Sequence, residues 1–232
     1  MPDNIGRLFY LDDDTLVLGD ISELFMMPLE KTFGIAMDAA PHPLRNMQPD
    51  ESGMTIYNCG TMLINVGRWK ELKCTEKIIE IMKSPELYYH DQDIINRFFK
   101  DEIVTLPCRY NYQVWNYNFS GKAYHSAFKP IDYYSVEEID STAHDIGVAH
   151  FLHFCGESGW NKNTIHPYGK LFKEYFDKSP WASLVELKPS ANGFDRKAEK
   201  LIYSVLPKSI FLKLWVFYQK KKGHLYLKGK KN

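Results

Sequence analysis

Three consecutive aspartates, Asp12, Asp13 and Asp14, are the residues of this sequence whose type and spacing best suit metal chemistry. They follow a short apolar run at residues 5–11, which is typical of a buried parallel strand that ends at a ligand site. Carboxylates at positions i and i+2 after a strand can both turn toward one hard cation, because Mg²⁺ and Mn²⁺ prefer oxygen ligands. An acidic turn is also common without a metal, so this prediction needs support from the rest of the chain.

Three further segments carry polar side chains next to predicted elements. They are residues 57–60 (YNCG), 88–93 (YYHDQD) and 150–156 (HFLHFCG). In the first, small residues allow a ligand to approach the backbone, and Asn58 offers both a donor and an acceptor. In the second, Asp91 is suited to cap a helix, but a helix start does not require the neighbouring Gln92 as well. All three segments are therefore candidate parts of one site.

The third segment contains two histidines. If residues 148–154 form one strand, alternation places His150 on one face and His153 on the other. A neutral His153 imidazole is able to complete a metal shell with two aspartates. A zinc site of His and Cys is the competing interpretation, but further ligands at zinc spacing are missing. A histidine on a strand is also often purely structural.

A second class of enzyme begins in a similar way. Phosphatases of the haloacid dehalogenase type place Asp-x-Asp after an apolar strand, with a threonine four residues beyond the first aspartate. Here Thr15 comes three residues after Asp12, and no acidic pair follows a later strand. The sequence therefore disfavours a phosphatase of this type.

Apolar periodicity predicts an α/β fold, since strands and helices alternate without repeats. Strands are predicted at residues 5–11, 32–37, 60–66, 102–106 and 148–154. Helices are predicted at residues 20–26, 69–83, 91–99 and 169–178, with a loop at 39–52. The side chains expected to face the core from the second and third helices are Leu72, Ile78, Ile79, Met82, Ile94, Ile95, Phe98 and Phe99.

Charge is unevenly distributed along the 232 residues, although the formal net charge is zero. Residues 196–232 contain eleven Lys and Arg and one acidic residue, a net charge of +10. Aromatic residues such as Phe211 and Trp215 lie among these lysines, a pattern that fits a helix in a membrane interface. The alternative is a terminal helix docked on the domain with a solvated basic end. No nucleic-acid partner is expected.

The expected location is cytoplasmic, with peripheral attachment to the inner face of the membrane. The chain opens without a basic and apolar leader, and it contains no stretch of about 18 uninterrupted apolar residues. The four cysteines form no CxxC pair, which favours reduced thiols.

Four ordered motifs give the chain a resemblance to glycosyltransferase family 8. They are FYLDDDTLVLGDISELF, YNCGTMLINVGRWKEL, YHDQDIINRFF and HFLHFCGESGW, and the resemblance spans about residues 5–178. It implies a GT-A type nucleotide-diphospho-sugar transferase fold with a Rossmann-like mixed sheet over residues 1–180. Residues 181–232 are then a linker and a basic, aromatic C-terminal segment. It also implies a UDP-sugar donor, Mn²⁺ with Mg²⁺ as an alternative, and transfer with retention of configuration.

The resemblance assigns a role to each motif residue. The metal ligands are Asp12, Asp14 and His153; the residues at the reacting sugar are Gln92 and Asp91; the other donor-binding residues are Asp13, Asn58, Cys59, Gly156 and Lys162; the acceptor-side residue is Asp38. Lys162 is included because relatives carry Lys-Pro-Trp after this glycine, whereas this chain has ESGW at residues 157–160.

Two functions follow as hypotheses. The first is a retaining hexosyltransferase that moves galactose or glucose from UDP to a cell-surface glycan, lipid or glycoprotein. The second arises because relatives carry strands before the aspartate motif that are not seen here, which suggests an N-terminally truncated domain. The alternative is therefore a non-catalytic remnant, or a fragment that depends on a partner.

Overall fold

The computed structural model describes residues 4–39, 55–83, 90–129, 132–190 and 194–230. Within these ranges the strands are β1 (Arg7–Leu11), β2 (Thr15–Val17), β3 (Phe33–Met37), β4 (Tyr57–Asn65), β5 (Ile103–Thr105), β6 (Tyr112–Gln113) and β7 (Val148–His150). The α-helices are α1 (Ser22–Met26), α2 (Val66–Glu71), α3 (Cys74–Ile81), α4 (His90–Phe98), α5 (Val114–Asn118), α6 (Gly121–Phe128), α7 (Val136–Thr142), α8 (Gly169–Lys178), α9 (Phe194–Val205) and α10 (Lys208–Lys230). Short 3₁₀ helices cover Lys100–Glu102, Cys108–Asn111 and Pro180–Ser183. The predicted α/β class is confirmed, while most of the loop predicted at 39–52 lies outside the described residues.

The strands form two mixed sheets. The larger sheet has the order β1-β4-β3-β5, and the smaller has the order β2-β7-β6. In each sheet one pair is parallel, β3 with β5 and β6 with β7, and the remaining pairs are antiparallel. The expectation that the first strand is parallel and buried is therefore wrong, because β1 pairs antiparallel with β4 and is only partly buried.

The larger sheet is covered on both faces, which explains why its central strands, β3 and β4, are almost continuously buried. Along β4, Met62 and Ile64 belong to a cluster of buried side chains that they form with α3 and α4. Leu63 between them belongs to a second cluster of buried side chains, which is rich in aromatic rings and is called the aromatic cluster below. This is the alternation that a pleated strand requires. The core therefore consists of two apolar layers separated by the larger sheet.

The predicted helix at residues 69–83 is two helices. The chain breaks between α2 and α3, where Lys73 has a left-handed φ of 51°. The break resets the helical phase, so Ile79 and Met82 are 56% and 61% exposed. The predicted burial of these two side chains is wrong, whereas Leu72 and Ile78 pack against the core as expected.

The orientation of α4 is set by a polar residue. Asn96 accepts a hydrogen bond from Tyr57 N at 2.8 Å and donates one to Tyr57 O at 2.9 Å. These bonds turn the Asn96 side toward β4, and Phe98 consequently faces outward with 55% of its surface exposed. The predicted burial of Phe98 is wrong, because the buried polar pairing decides the rotation of the helix.

The last helix, α10, packs on the domain through one face. Phe211, Leu212 and Val216 are buried in the aromatic cluster, and the rings of Trp215 and Trp115 lie 4.4 Å apart between centroids. None of the helices in the described ranges has the length and apolarity of a membrane span. The sequence analysis gave docking on the domain as the alternative for this segment, and the structure shows that docking. Another face of α10 remains exposed.

We expect truncation of the docked face of α10 to destabilise the whole domain. Leu212→Ala should lower the free energy of unfolding by about 2–5 kcal/mol, because it removes a fully buried side chain. The matched change Leu214→Ala, at a half-exposed position on the same helix, should cost less than about 1 kcal/mol. Urea denaturation of both variants measures the difference. Equal losses would contradict the docking of this helix.

Candidate metal and donor site

The aspartate turn carries the chain from one sheet to the other. It begins where β1 leaves the larger sheet, with a hydrogen bond from Asp12 N to Gly60 O at 2.8 Å. It ends where β2 joins the smaller sheet, with a hydrogen bond from Phe151 N to Asp14 O at 2.8 Å. Thr15 closes the turn, since its Oγ1 donates to Asp12 O at 2.7 Å. The carboxylates are thus held between β4 and β7.

The approach of β7 to β4 depends on a glycine. A Cβ atom added at Gly60 would lie 2.1 Å from His150 Cε1 and 2.9 Å from both ring nitrogens. Real carbon atoms do not approach this closely, so only glycine leaves room for the imidazole. The sequence suggested that a ligand approaches the backbone at Gly60. In the structure the side chain of His150 fills that space instead.

The ring of His150 reaches the aspartates through Nε2. This atom lies 3.1 Å from Asp14 Oδ1. One ligand atom from each of Asp12, Asp14 and His150 lies within 4.8 Å of the others. The Nε2 atom is buried, and the described residues place no aligned hydrogen-bond partner on it despite its short distance to Asp14. A buried nitrogen without an aligned partner, beside two carboxylates, is the arrangement expected of a metal ligand set.

The electrostatics favour ionised carboxylates at this turn. Burial opposes ionisation of Asp14, but the neighbouring His150, with a further contribution from the charge of His153, lowers the pKa of Asp14 below its usual value. Tyr10 Oη donates a hydrogen bond to Asp12 Oδ1 at 2.6 Å, and this bond is the main reason that the pKa of Tyr10 rises to about 12. Asp14 is therefore an anionic acceptor at neutral pH.

His153 does not lie in the cluster of three. The strand β7 ends at His150, so the predicted alternation through residue 154 does not continue to His153. His153 is exposed, and its Nδ1 lies 3.1 Å from Ser158 Oγ. The structure brings His150, rather than His153, within ligand distance of Asp12 and Asp14.

Several of the other predicted residues act electrostatically on Cys59. Burial raises the pKa of the Cys59 thiol well above its ordinary value, and the charges of Asp91, Asp38 and Asp12 add to the effect. The thiol is therefore neutral, and predicted carboxylates from three separate segments act on it. Asp13 is exposed on the turn itself.

Gln92 and Asp38 are directly hydrogen bonded. Gln92 Nε2 donates to Asp38 Oδ2 at 3.0 Å, and Asp38 is only 3% exposed. Because this bond uses the NH₂ group, it fixes the Gln92 carbonyl oxygen on the other side of the amide. The buried Asp38 carboxylate therefore orients the Gln92 amide. The sequence analysis had assigned Asp38 to the acceptor side and did not predict this bond.

Gly156 lies in a tight turn beyond β7. Phe154 and Glu157 exchange two backbone hydrogen bonds of 2.9 Å, and both Cys155 and Gly156 between them have positive φ, at 51° and 69°. Such two-residue turns favour glycine. Lys162 is further along, where its Nζ pairs with Glu186 Oε1 at 3.0 Å between two exposed side chains. In this structure Lys162 therefore forms an ion pair at the surface.

Two residues of the site were missed by sequence reasoning. His150 carries one local signal, since it ends the apolar segment GVAH before the chain turns away. Asn111 carries no such signal, yet its Oδ1 lies 2.8 Å from His150 Nδ1 and its Nδ2 lies 2.9 Å from Asn58 Oδ1. Only the tertiary structure places it beside the histidine.

Known proteins share this architecture. A solved galactosyltransferase, LgtC in complex with donor and acceptor sugar analogs, superposes with a TM-score of 0.57 at 21% identity, covering 78% of this chain and 66% of that one. General stress protein A of Bacillus subtilis is 30% identical over 78% of this chain and 62% of its own length. Lipopolysaccharide 1,3-galactosyltransferase of Salmonella typhimurium is 25% identical over 95% of this chain and 64% of its own length. The chain thus spans under two thirds of these curated relatives.

The mixed sheets and the acidic turn between them define an α/β domain with the GT-A fold of sugar-nucleotide transferases. The sequence profile of glycosyl transferase family 8 matches residues 1–164, which is well over half of the chain. The protein belongs to glycosyltransferase family 8.

We expect the space at Gly60 to be essential for the site. Gly60→Ala should displace the His150 ring and destabilise the protein by about 1–3 kcal/mol, because the new methyl group overlaps the imidazole. Gly67→Ala is the control, since its Cβ would meet only Asn65 Oδ1 at 3.4 Å and should be neutral or stabilising by up to about 1 kcal/mol. Thermal unfolding and the NMR shifts of the His150 ring measure both effects. An unshifted ring in Gly60→Ala would contradict the contact.

Proposed function

We propose that this chain transfers a hexose, galactose or glucose, from a UDP-sugar in a reaction that depends on a divalent cation. The observation that carries the proposal is the convergence of Asp12, Asp14 and His150 from two sheets. Family membership supplies the class of reaction, and the name of the Salmonella relative supports galactose as one donor sugar.

The residues present fit Mn²⁺ as the cation. Two carboxylate oxygens and a buried imidazole nitrogen form a mixed set, which suits Mn²⁺ better than Mg²⁺, an ion that usually takes oxygen ligands alone. We propose Asp12, Asp14 and His150 as the ligands, with His150 in the role that the resemblance gave to His153. When bound, the cation would neutralise charge on the departing UDP.

The protein's own groups then bind and orient the donor. We propose that the predicted donor residues serve the nucleotide and sugar: Asp13, Asn58, Cys59, Asp91, Gly156 and Lys162. Gln92 would present its carbonyl oxygen to the reacting face of the sugar, held in that orientation by Asp38. A fixed amide is consistent with the retention of configuration that the resemblance implies, since geometry at the anomeric carbon controls that outcome.

The acceptor is proposed to be a cell-surface glycan, lipid or glycoprotein. The lipopolysaccharide relative supports this class. The alternative function, a non-catalytic or partner-dependent fragment, differs in one measurable respect. A catalytic chain binds UDP together with Mn²⁺, and calorimetric titration of the isolated chain with both measures this directly. Absence of any UDP binding would favour the alternative.

We expect Asp12→Asn to remove most of the Mn²⁺-dependent release of UDP from UDP-galactose or UDP-glucose. The loss should be roughly a hundredfold or more, because a ligand to a charge-neutralising cation contributes several kcal/mol to the transition state. Asp20→Asn is the matched control. Asp20 also follows a strand, but its carboxylate accepts from Ser22 N at 2.8 Å, which asparagine can replace. Wild-type activity in Asp12→Asn would contradict the proposed role.

We also propose that α10 attaches the domain peripherally to the inner face of an anionic membrane. The side of this helix that does not contact the core exposes Leu214, Phe217 and Tyr218, each at least half exposed. Lys213 is exposed on the same helix, and Lys221 Nζ lies 4.9 Å from the centre of the Phe217 ring. Apolar side chains flanked by lysines suit the interface of anionic lipids.

Replacing Lys213 and Lys221 together by glutamine should weaken binding to anionic vesicles. Each lysine near such a surface contributes about 1 kcal/mol, so the partition coefficient should fall roughly thirtyfold. Glutamine at Lys77 and Lys83, which lie in and just after α3, is the control of equal charge. Sedimentation with vesicles that contain phosphatidylserine measures the effect, and neutral vesicles should bind neither form. Equal losses in both double variants would exclude a specific role for α10.

A further inference from the structure

The residues around Asp38 lie beyond the point where β5 supports β3. These strands pair in parallel, and a bond from Leu106 N to Ile35 O at 3.0 Å continues the ladder just past β5. The chain then turns into a 3₁₀ helix at Cys108, whose N–H donates to Glu138 Oε1 at 3.1 Å instead. Buried main-chain groups need partners, so this edge of β3 must find them elsewhere.

Two side chains supply those partners. Tyr134 Oη accepts from Met37 N at 2.9 Å and donates to Leu106 O at 2.6 Å, so the hydroxyl stands between two strands that have separated. Gln113 Nε2 donates to Met37 O at 3.0 Å, and Gln113 Oε1 accepts from Ala39 N at 2.9 Å. The orientation of the Gln113 amide is unambiguous, because a carbonyl only accepts and a backbone N–H only donates.

Gln113 makes the two bonds that a residue of a parallel strand would make. In a parallel ladder one residue donates to the carbonyl before the residue opposite it and accepts from the N–H after it. Opposite Asp38, continuation of the β3–β5 register would give this place to Cys108. The amide of Gln113, which is fully buried, fills it. On the other edge Asp38 N donates to Ile56 O at 2.8 Å, so the main chain of Asp38 is held from both sides.

We propose that Gln113 is a positioning residue that fixes Asp38 and, through it, the amide of Gln92. The buried Asp38 carboxylate accepts from Gln92 Nε2 at 3.0 Å, so the placement of its main chain sets the orientation of that amide. This role rests on the proposed function, because it is there that Gln92 faces the reacting sugar. Gln113 acts only through Asp38.

The main chain of Gln113 belongs to the smaller sheet. Gln113 ends β6, where it is opposite His150 of β7. Its side chain therefore reaches from the smaller sheet to β3 of the larger one, and it contacts Met37 across 76 residues of sequence. One residue thus connects the strand that carries a proposed metal ligand with the segment that orients Gln92.

The bonds of Gln113 also satisfy buried main-chain groups, which stabilises the fold whatever the function. A purely structural role and a positioning role differ in their consequences. Loss of a structural bond lowers the free energy of unfolding alone. Loss of a positioning bond also changes the Gln92 amide in the protein that remains folded.

The first test uses the unmodified protein without metal, nucleotide or acceptor. Hydrogen exchange should be slow at Ala39 N–H, because that group donates to the buried Gln113 side chain. In nitrogen-15 NMR the Gln92 side-chain amide should show one hydrogen-bonded proton, and Gln92→Glu identifies its signals by their disappearance. Exchange at the rate of a solvated amide in either group would overturn the proposal, and no variant of Gln113 needs to fold for this result.

The second test removes the bonds of Gln113. Gln113→Met keeps the length of the side chain but leaves Met37 O and Ala39 N without these partners. It should shift the Gln92 amide signals and speed their exchange. Gln113→Asn keeps an amide of shorter reach, so it is the milder variant and should change the same signals in the same direction.

Kinetics provide a third readout. Gln113→Met should lower kcat for Mn²⁺-dependent UDP release from UDP-galactose or UDP-glucose by about 10–100-fold, because a small misplacement at the reacting centre is enough for such a loss. The donor KM should stay within about twofold, since Gln113 carries no group proposed to bind the nucleotide. The rate is taken per folded protein, with the folded fraction measured by circular dichroism.

Asn118→Leu is the matched control. Asn118 is also buried, and its Oδ1 accepts from Tyr203 Oη at 3.0 Å and from Lys208 Nζ at 2.8 Å, so it contacts α9 and α10 rather than β3. It should leave the Gln92 signals and kcat unchanged. Equal changes in Asn118→Leu and Gln113→Met would overturn the proposal, as would unchanged Gln92 signals and kcat in folded Gln113→Met.

The two proposals fail in distinguishable ways. If the wild-type protein releases no UDP with Mn²⁺ but the Gln92 amide responds to Gln113→Met, the function is contradicted while the positioning of Gln92 stands. If the wild-type protein is active and Gln113→Met changes neither kcat nor the Gln92 amide, the function stands and the role of Gln113 is wrong.

Discussion

Two backbone hydrogen bonds, Asp12 N to Gly60 O and Phe151 N to Asp14 O, hold the aspartate turn between the sheets. Because they use main-chain atoms, they fix where β1 leaves one sheet and β2 enters the other, independently of the side chains. The separation of β4 and β7 then depends on the absence of a side chain at Gly60. The ligand set that we propose for the site depends on this crossing of the chain.

The site concentrates negative charge. Asp12, Asp38 and Asp91 all act on the buried Cys59 thiol. Among the described residues, the Tyr10 hydroxyl donates to Asp12 and the Gln92 amide donates to Asp38. Carboxylates gathered in a partly buried site repel one another, which is costly. A bound cation would relieve that cost, which is why the electrostatics and the proposed chemistry support one another.

The C-terminal helix has two sides with different physical roles. Its apolar face completes the aromatic cluster through Phe211, Leu212 and Trp215, whereas the opposite side exposes Leu214 and Phe217 among lysines. Docking and surface attachment are therefore compatible in one helix, although they began as alternatives. A helix held rigidly by the core is also better suited to orient the domain on a surface than a free tail, since less conformational freedom is lost on binding.

The sequence by itself determined the α/β class, the position of the strand before Asp12, the helix at residues 169–178 and the family, because local periodicity and contiguous motifs carry that information. It placed Ile94, Ile95 and Phe99 correctly in the core. It was wrong for Ile79 and Met82, because a left-handed Lys73 resets the helical phase, and for Phe98, because the pairing of Asn96 with Tyr57 sets the rotation of α4. The family resemblance named His153 as the third ligand, whereas the structure brings His150 within ligand distance of the two aspartates. Only the tertiary structure decided that His150 meets Asp14 and that Asn111 supports it, because those contacts join segments 39 residues or more apart through strand register.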